Sequence, residues 1–310
     1  MANQSVLLVG HGSRRPQAIE EFMQFAAELS NSIRQPVQHC FLELADPDMA
    51  DGLTQAARRA GDGGTVVVVP LFLGSANHEK NDVAAAIQWG RAQFPEVTFR
   101  YGAPLGLHAK LVELLDLRAR QALESEPGAL PPDQSAVLVV GRGSSDPDSN
   151  SEVAKLAHLL FEKRPYLFVE YAFQAVARPT IEQALQRCKL LGAHQVVVAP
   201  YILFTGRVYE DIVRVSAQCG LQLGLQVIHA SYLGVHPMLV EVGAQRYQEA
   251  VDGMASVTCD VCKYRFPMAG YEHEVGQAQH THHLHGGSAQ SADAHQAHDH
   301  THPPQPRSGW

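Results

Sequence analysis

The chain is poor in the features that would place it at a glance. Its five cysteines, Cys40, Cys188, Cys219, Cys259 and Cys262, are odd in number and scattered through 310 residues, which argues against a disulfide framework. No apolar run approaches the ~20 residues of a membrane-spanning helix. The longest, Val66 to Gly74, is interrupted by Pro70. Positive charge is also scarce. Lys and Arg number 24 against 32 Asp and Glu, a net −8, so a general nucleic-acid binder, which needs a basic face, is not expected. That balance still leaves room for an anionic small molecule held by a few local arginines. No basic segment precedes the first apolar stretch, so the sequence reads as a cytoplasmic protein without a secretory leader.

What the chain does have is apolar mass and order. It is 45% hydrophobic and 18% charged, enough for two buried cores. Val6-Leu7-Leu8-Val9 reads as a strand covered on both faces, followed by the turn Gly10-His11-Gly12-Ser13-Arg14-Arg15 and a helix opened by Pro16. Ile19, Phe22, Ala26, Leu29 and Ile33 then recur at helical spacing over 16–34. Strands are expected at 37–44, 66–73 and 97–101, and helices at 48–60, 80–94 and 108–123. Strands alternating with helices of this length imply a parallel sheet flanked by helices.

After the Pro- and Gly-rich stretch 125–134 the pattern starts again. Gly141-Arg142-Gly143-Ser144 follows the strand 136–140 as Gly10-His11-Gly12-Ser13 follows the first. Phe173-Gln174-Ala175 answers Phe41-Leu42-Glu43, Val196 to Pro200 answers Val66 to Pro70, and Leu233-Gly234-Val235-His236 answers Leu105-Gly106-Leu107-His108. Four matches in one order mark an internal duplication. The expected organisation is an N-terminal α/β domain at 1–126 carrying the active site, a linker at 127–134, a duplicated α/β domain at 135–251 and a C-terminal segment at 252–310. The two domains would face each other across a cleft.

In open α/β sheets ligands gather at the carboxyl ends of the strands. His11, Glu43 and His78 stand at or after three such ends in the first half. Each alone could be a cap or a surface contact. Together they could hold a divalent first-row metal and exchange protons near neutral pH. The second half keeps the apolar strands but has Arg142 for His11, Ala175 for Glu43, and Arg207 or Val208 for His78. A repeat that keeps the frame and loses these three groups suggests that they serve a site. Arg14, Arg15, Arg142 and Arg207 are candidates to pair with carboxylates of a substrate.

Gly-His-Gly-Ser-Arg, Phe-Leu-Glu-Leu-Ala-Asp-Pro, Pro-Leu-Phe-Leu followed by His78, and Pro-Leu-Gly-Leu-His resemble the class II tetrapyrrole chelatases, over roughly residues 5–250. The pattern is most similar to long sirohydrochlorin cobaltochelatases, with sirohydrochlorin ferrochelatases next. The resemblance implies two flavodoxin-like, chelatase-type domains. It implies insertion of Co²⁺ or Fe²⁺, as substrate, into an anionic tetrapyrrole, with His11, Glu43 and His78 as metal-binding and proton-handling residues.

Cys259 and Cys262 form a CxxC pair that could be an accessory metal or iron–sulfur site, a redox pair, or inert. Two thiolates fall short of the four that a cluster usually takes. Residues 273–302 hold nine of the 17 histidines among Gly, Ser, Ala, Gln and Asp. This stretch is expected to be a disordered tail that buffers metal. A homodimer stays open. Two other enzyme readings fail on single residues. A phosphohistidine phosphatase wants Arg where Gly10 stands, and a dinucleotide fold wants Gly where Arg15 stands. A non-enzymatic metal-storage or delivery protein on the same scaffold is the remaining alternative.

Overall fold

The structure, a computed structural model, describes residues 3–76, 78–163, 165–256, 273, 275 and 276, with the side chains of His78 and Glu79 outside that description. The Cys259–Cys262 pair and nearly all of the His-rich stretch also lie outside the described residues. Two four-stranded sheets, parallel throughout, form the frame. The first runs in the order β2-β1-β3-β4, from β1 (Gln4–Gly10), β2 (Val37–Phe41), β3 (Thr65–Pro70) and β4 (Thr98–Tyr101). The second runs β6-β5-β7-β8, from β5 (Ala136–Gly141), β6 (Phe168–Phe173), β7 (Gln195–Pro200) and β8 (Gln226–His229). Among the described residues no helix is long and apolar enough to cross a membrane.

Helix α1 (Pro16–Ile33) starts on a proline at its first position and turns Phe22, Phe25, Ala26 and Leu29 inward. It ends at Arg34, in the left-handed region at φ 54. Helix α2 (Met49–Ala60) is capped by Asp48, whose carboxylate accepts the N–H of Asp51 at 2.8 Å. A π-helical turn, His78–Val83, leads into α3 (Ala84–Gln93). His108 caps α4 (Ala109–Ser125), its Nδ1 accepting the Lys110 N–H. In the second half follow α5 (Pro147–Lys163), α6 (Ile181–Leu190) with a Thr180–Gln183 capping box, α7 (Arg207–Leu223) and α8 (Pro237–Val251), which His236 caps as His108 caps α4.

The halves are not packed separately. Alternation along the strands divides each sheet into two faces. Leu7, Val9, Val66 and Val68 face α2 and α3, while Ala136, Leu138, Val196 and Val198 join Ile181, Leu185 and Ile212 of α6 and α7. The other two faces meet in one continuous core. Val6, Leu8, Val67 and Val69 share it with Val137, Val139, Val197 and Ala199, and α1, α4, α5 and α8 fill the layer between. The last helix of each half crosses to the other: α8 lies on β3, β4 and α1, and α4 lies on β7, β8 and α5. Gly243 of α8 sits so close to Phe25 and Leu29 of α1 that a Cβ there would come within 2.9 Å of the Phe25 ring.

Two arginines pin the exchange. Arg118 of α4 donates from Nη2 to the Leu233 carbonyl at 2.7 Å, and Arg246 of α8 donates from Nη2 to the Leu105 carbonyl at 2.8 Å. Leu105 and Leu233 are the matching residues of the duplicated motif, so each half's arginine holds the other half's loop. Asp116, buried on α4, adds a bond from the hydroxyl of Tyr166 at 2.8 Å.

Residues 1–126 alone would leave bare the apolar face that α8 covers. They are expected to show no cooperatively folded monomer, while the whole chain unfolds in one urea transition. A monomeric 1–126 fragment with a sharp melt would contradict the continuous core. Arg246→Ala should cost ~1–3 kcal/mol, the range for removing a charged partner from a buried acceptor.

Candidate active site

The first sheet reverses its direction of strand addition between β1 and β3, and the loops after β2, β1 and β3 lie side by side at its carboxyl edge. His11 follows β1 directly. Glu43 was expected at the end of the second strand, but β2 stops at Phe41 and Glu43 lies in the bend beyond it. There the chain is held by Leu42 N–H to the Gly10 carbonyl (2.9 Å) and Glu43 N–H to the His11 carbonyl (3.0 Å). The backbone of residue 43 is thus fastened to that of residue 11.

Gly12 makes this approach feasible. Its φ is +94, and a Cβ would fall 1.8 Å from the Glu43 carbonyl oxygen. Gly10 serves differently: it makes room for the Phe22 ring, which a Cβ would meet at 2.5 Å. The result is His11 Nδ1 at 3.5 Å from Glu43 Oε1, both about a third exposed at 39% and 34%. That separation is an electrostatic contact longer than a good hydrogen bond. A neutral imidazole oriented by a carboxylate at one nitrogen keeps a lone pair at the other for a metal.

His78 begins the π-helical turn after β3, the strand that neighbours β1. The fold therefore puts three loops carrying His11, Glu43 and His78 on one edge, and the described side chains place His11 and Glu43 together. Among the described residues no three His, Cys, Asp or Glu side chains converge on one point. Two cavities of about 320 and 520 Å³ lie along the seam between the halves, and His11 and Glu43 line neither.

The candidate arginines sit differently from one another. Arg14 is exposed. Arg15 spans the halves to Glu210 at 2.9 Å. Arg142, at the place of His11, is exposed and donates to its neighbour's carbonyl, that of Gly143, at 3.3 Å. Arg207 opens α7, is 87% exposed and lies 3.7 Å from Asp211. Pro70 and Pro200, and likewise the buried Gly90 and Gly220, stand 130 positions apart, so His78 corresponds to Val208 and Arg207 to Asn77. Cys40, Cys188 and Cys219 are free and buried. Burial pushes the thiols of Cys40 and Cys188 up, the latter to about 12, which makes them packing groups and poor ligands.

Sequence reasoning missed the contacts that cross between the halves. Glu21 of α1 accepts the Thr205 N–H at 2.9 Å and the Tyr232 hydroxyl, and Phe204 packs on Phe22 and Phe25. Lys80 reaches Asp146 and Asp148. The signal available was only a charged, polar or aromatic residue at each position, with nothing to pair them.

Gly12→Ala and Gly143→Ala offer a matched test. Gly143 has φ +87, and a Cβ there would lie 2.0 Å from the Ala175 carbonyl. Both substitutions should cost stability by ~1–3 kcal/mol or more through backbone strain. Gly12→Ala alone should also abolish the chemistry, because it parts Glu43 from His11. Equal loss of activity in the two variants would count against the His11–Glu43 site.

Comparison with known proteins agrees with this architecture. The CbiX family matches residues 5–122 and 136–250, once on each half. A sirohydrochlorin cobaltochelatase of Priestia megaterium is 38% identical over 84% of each chain. A sirohydrochlorin ferrochelatase of the same organism is 33% identical over 77% of this chain and 87% of its own. The structure of SirB from Bacillus subtilis with Fe3+ superimposes with a TM-score of 0.72 at 30% identity, over 82% of this chain and 99% of that one. The chain belongs to the CbiX family of class II tetrapyrrole chelatases.

Proposed function

We propose that this protein inserts Co²⁺ into sirohydrochlorin, at one site on the edge of the first sheet. The observation that carries the reading is the His11–Glu43 contact at 3.5 Å, present in the first half and replaced by Arg142 and Ala175 in the second. Insertion exchanges one divalent cation for two pyrrole protons, so the site must hold a partly desolvated metal and take up protons. His11 offers an imidazole nitrogen to the metal. His78, on the neighbouring loop, is assigned as a second donor. Glu43 accepts protons and balances the charge of the incoming cation. Arg14, Arg15, Arg142 and Arg207 are assigned to the substrate's carboxylates, which guanidinium groups bind in a bidentate manner.

Anaerobic incubation with sirohydrochlorin and Co²⁺, followed in the visible spectrum, tests the reaction. A parallel incubation with Fe²⁺ addresses the iron reading that the ferrochelatase relative favours. His11→Ala should fold and lose nearly all turnover. Glu43→Gln keeps the shape and removes the base, so it should lower kcat about 100-fold or more, within the range for a general base, with KM for the tetrapyrrole little changed. Absence of turnover by the unaltered chain with either metal, alongside tight metal binding, would favour a storage or delivery role.

Cys259, Cys262 and the histidines of 273–302 are assigned an accessory metal role, with an iron–sulfur site at the cysteine pair as its most specific form. A chain ended at residue 271 should match the full chain at saturating Co²⁺ and fall behind at limiting Co²⁺, with fewer ions bound in equilibrium dialysis. Loss of activity at saturating metal would place the tail in the site instead.

A further inference from the structure

The π-helical turn that begins at His78 is fastened to the other half of the molecule by a buried ion trio. The Lys80 ammonium lies 3.0 Å from Asp146 Oδ2 and 2.9 Å from Asp148 Oδ2. Side-chain exposure is 9%, 0% and 5% for the three. Burial opposes the ammonium, but the two carboxylates outweigh it and hold Lys80 above the usual lysine range.

The acidic partner is itself rigid. The second oxygen of Asp146 accepts the Asp148 N–H at 3.1 Å, and the Asp146 N–H donates to Ser144 Oγ at 3.0 Å. Asn150 brackets Ser144, accepting its N–H at 3.0 Å and donating to its carbonyl at 2.8 Å. On the other side, the Lys80 N–H donates to the Ala76 carbonyl at 2.9 Å, which ties the ammonium's own backbone to the loop that precedes His78.

The duplication supplies an internal control. Lys80 corresponds to Glu210 and Asp146 to Arg15, so the same contact recurs at the second rim with its charges exchanged. That copy is open to water, with 57% and 54% exposure, where an ion pair fixes little. The buried version is found only at the turn that carries His78. Replacing a buried ion pair by apolar groups is often neutral for stability, so retention of one points to a need for a defined arrangement. π-helical turns also concentrate at functional sites.

We propose that Lys80, Asp146 and Asp148 are positioning residues that fix the turn bearing His78 at the distance from His11 and Glu43 that metal capture requires. The second half, which has lost its own site residues, would thereby act as the buttress of the first half's site. The proposal rests on the reading of His78 as a metal donor.

The test uses the full chain and Co²⁺ alone, titrated by its visible d–d absorption with the His11→Ala chain as the reference for ions held by the His-rich stretch, beside steady-state insertion into sirohydrochlorin. Lys80→Met removes the charge at similar length. Because it leaves two buried carboxylates, the neutral triple variant Lys80→Met/Asp146→Asn/Asp148→Asn accompanies it. In whichever variant folds, Co²⁺ affinity should fall about 10- to 100-fold, the range for lost support of a ligand, with a changed d–d band. The value of kcat/KM for Co²⁺ should fall in step, and KM for sirohydrochlorin should stay near that of the unaltered chain. Glu210→Gln should leave Co²⁺ affinity unchanged. A variant with a lowered melting temperature but unaltered Co²⁺ affinity and kcat/KM would reduce the trio to a structural tie and overturn the proposal. So would failure of both variants to fold. His78→Ala is measured in parallel. If it keeps full Co²⁺ affinity, the reading of His78 fails. If it loses affinity while Lys80→Met does not, only the positioning role fails.

Discussion

The structure depends on the crossing of its terminal helices. A sheet face bearing Val6, Leu8, Val67 and Val69 cannot stay in water, and the helix that covers much of it, α8, comes from the second half. The first half returns the same service through α4. The apolar burial is shared, and the loop carbonyls of Leu105 and Leu233 are shared too, each held by a guanidinium of the partner half. Neither sheet can shift without exposing the other's core. The two rims where ligands would bind are therefore set at a fixed distance, as a consequence of packing in the layer beneath them.

On this nearly symmetric frame the His11–Glu43 pair is one-sided. The frame includes costly local geometry that both halves keep: positive φ at Gly12 and Gly143, and again at Leu44 (63) and Val176 (64), where an L side chain is strained. Both bends are closed alike, by Phe41 N–H to the Pro47 carbonyl and Phe173 N–H to the Pro179 carbonyl, each at 2.9 Å. Strain kept where Glu43 has become Ala175 belongs to the architecture. What differs between the rims, His11 against Arg142 and Glu43 against Ala175, is what the proposed function rests on.

Much of this was legible in the sequence because local chemistry wrote it there. Val66 to Val69 could hardly be anything but a buried strand, Pro16 opens α1, and the repeated Gly-x-Gly-Ser marks two equivalent turns. The pairing of His11 with Glu43 followed from topology, since loops after adjacent parallel strands share an edge. The exchange of α4 and α8 left no such trace. A helix with Leu111, Leu114 and Leu115 inward reads the same whichever sheet it covers. The end of β2 at Phe41 was hidden by the apolar Leu42 and Leu44, which continue a strand-like pattern through a bend. Lys80, a charge at the start of the expected helix 80–94, carried no sign in the sequence of its burial.

Joining the halves in one chain has an evolutionary consequence. In a pair of identical subunits related by a two-fold axis, any substitution appears at both rims at once, so a change that improves one rim as a support also alters the other as a reaction centre. The connection through 125–134 removes that constraint. Each rim can then answer to its own selection, and residues such as Arg142, Ala175 and Asp146 can specialise without a matching substitution at their counterparts His11, Glu43 and Arg15.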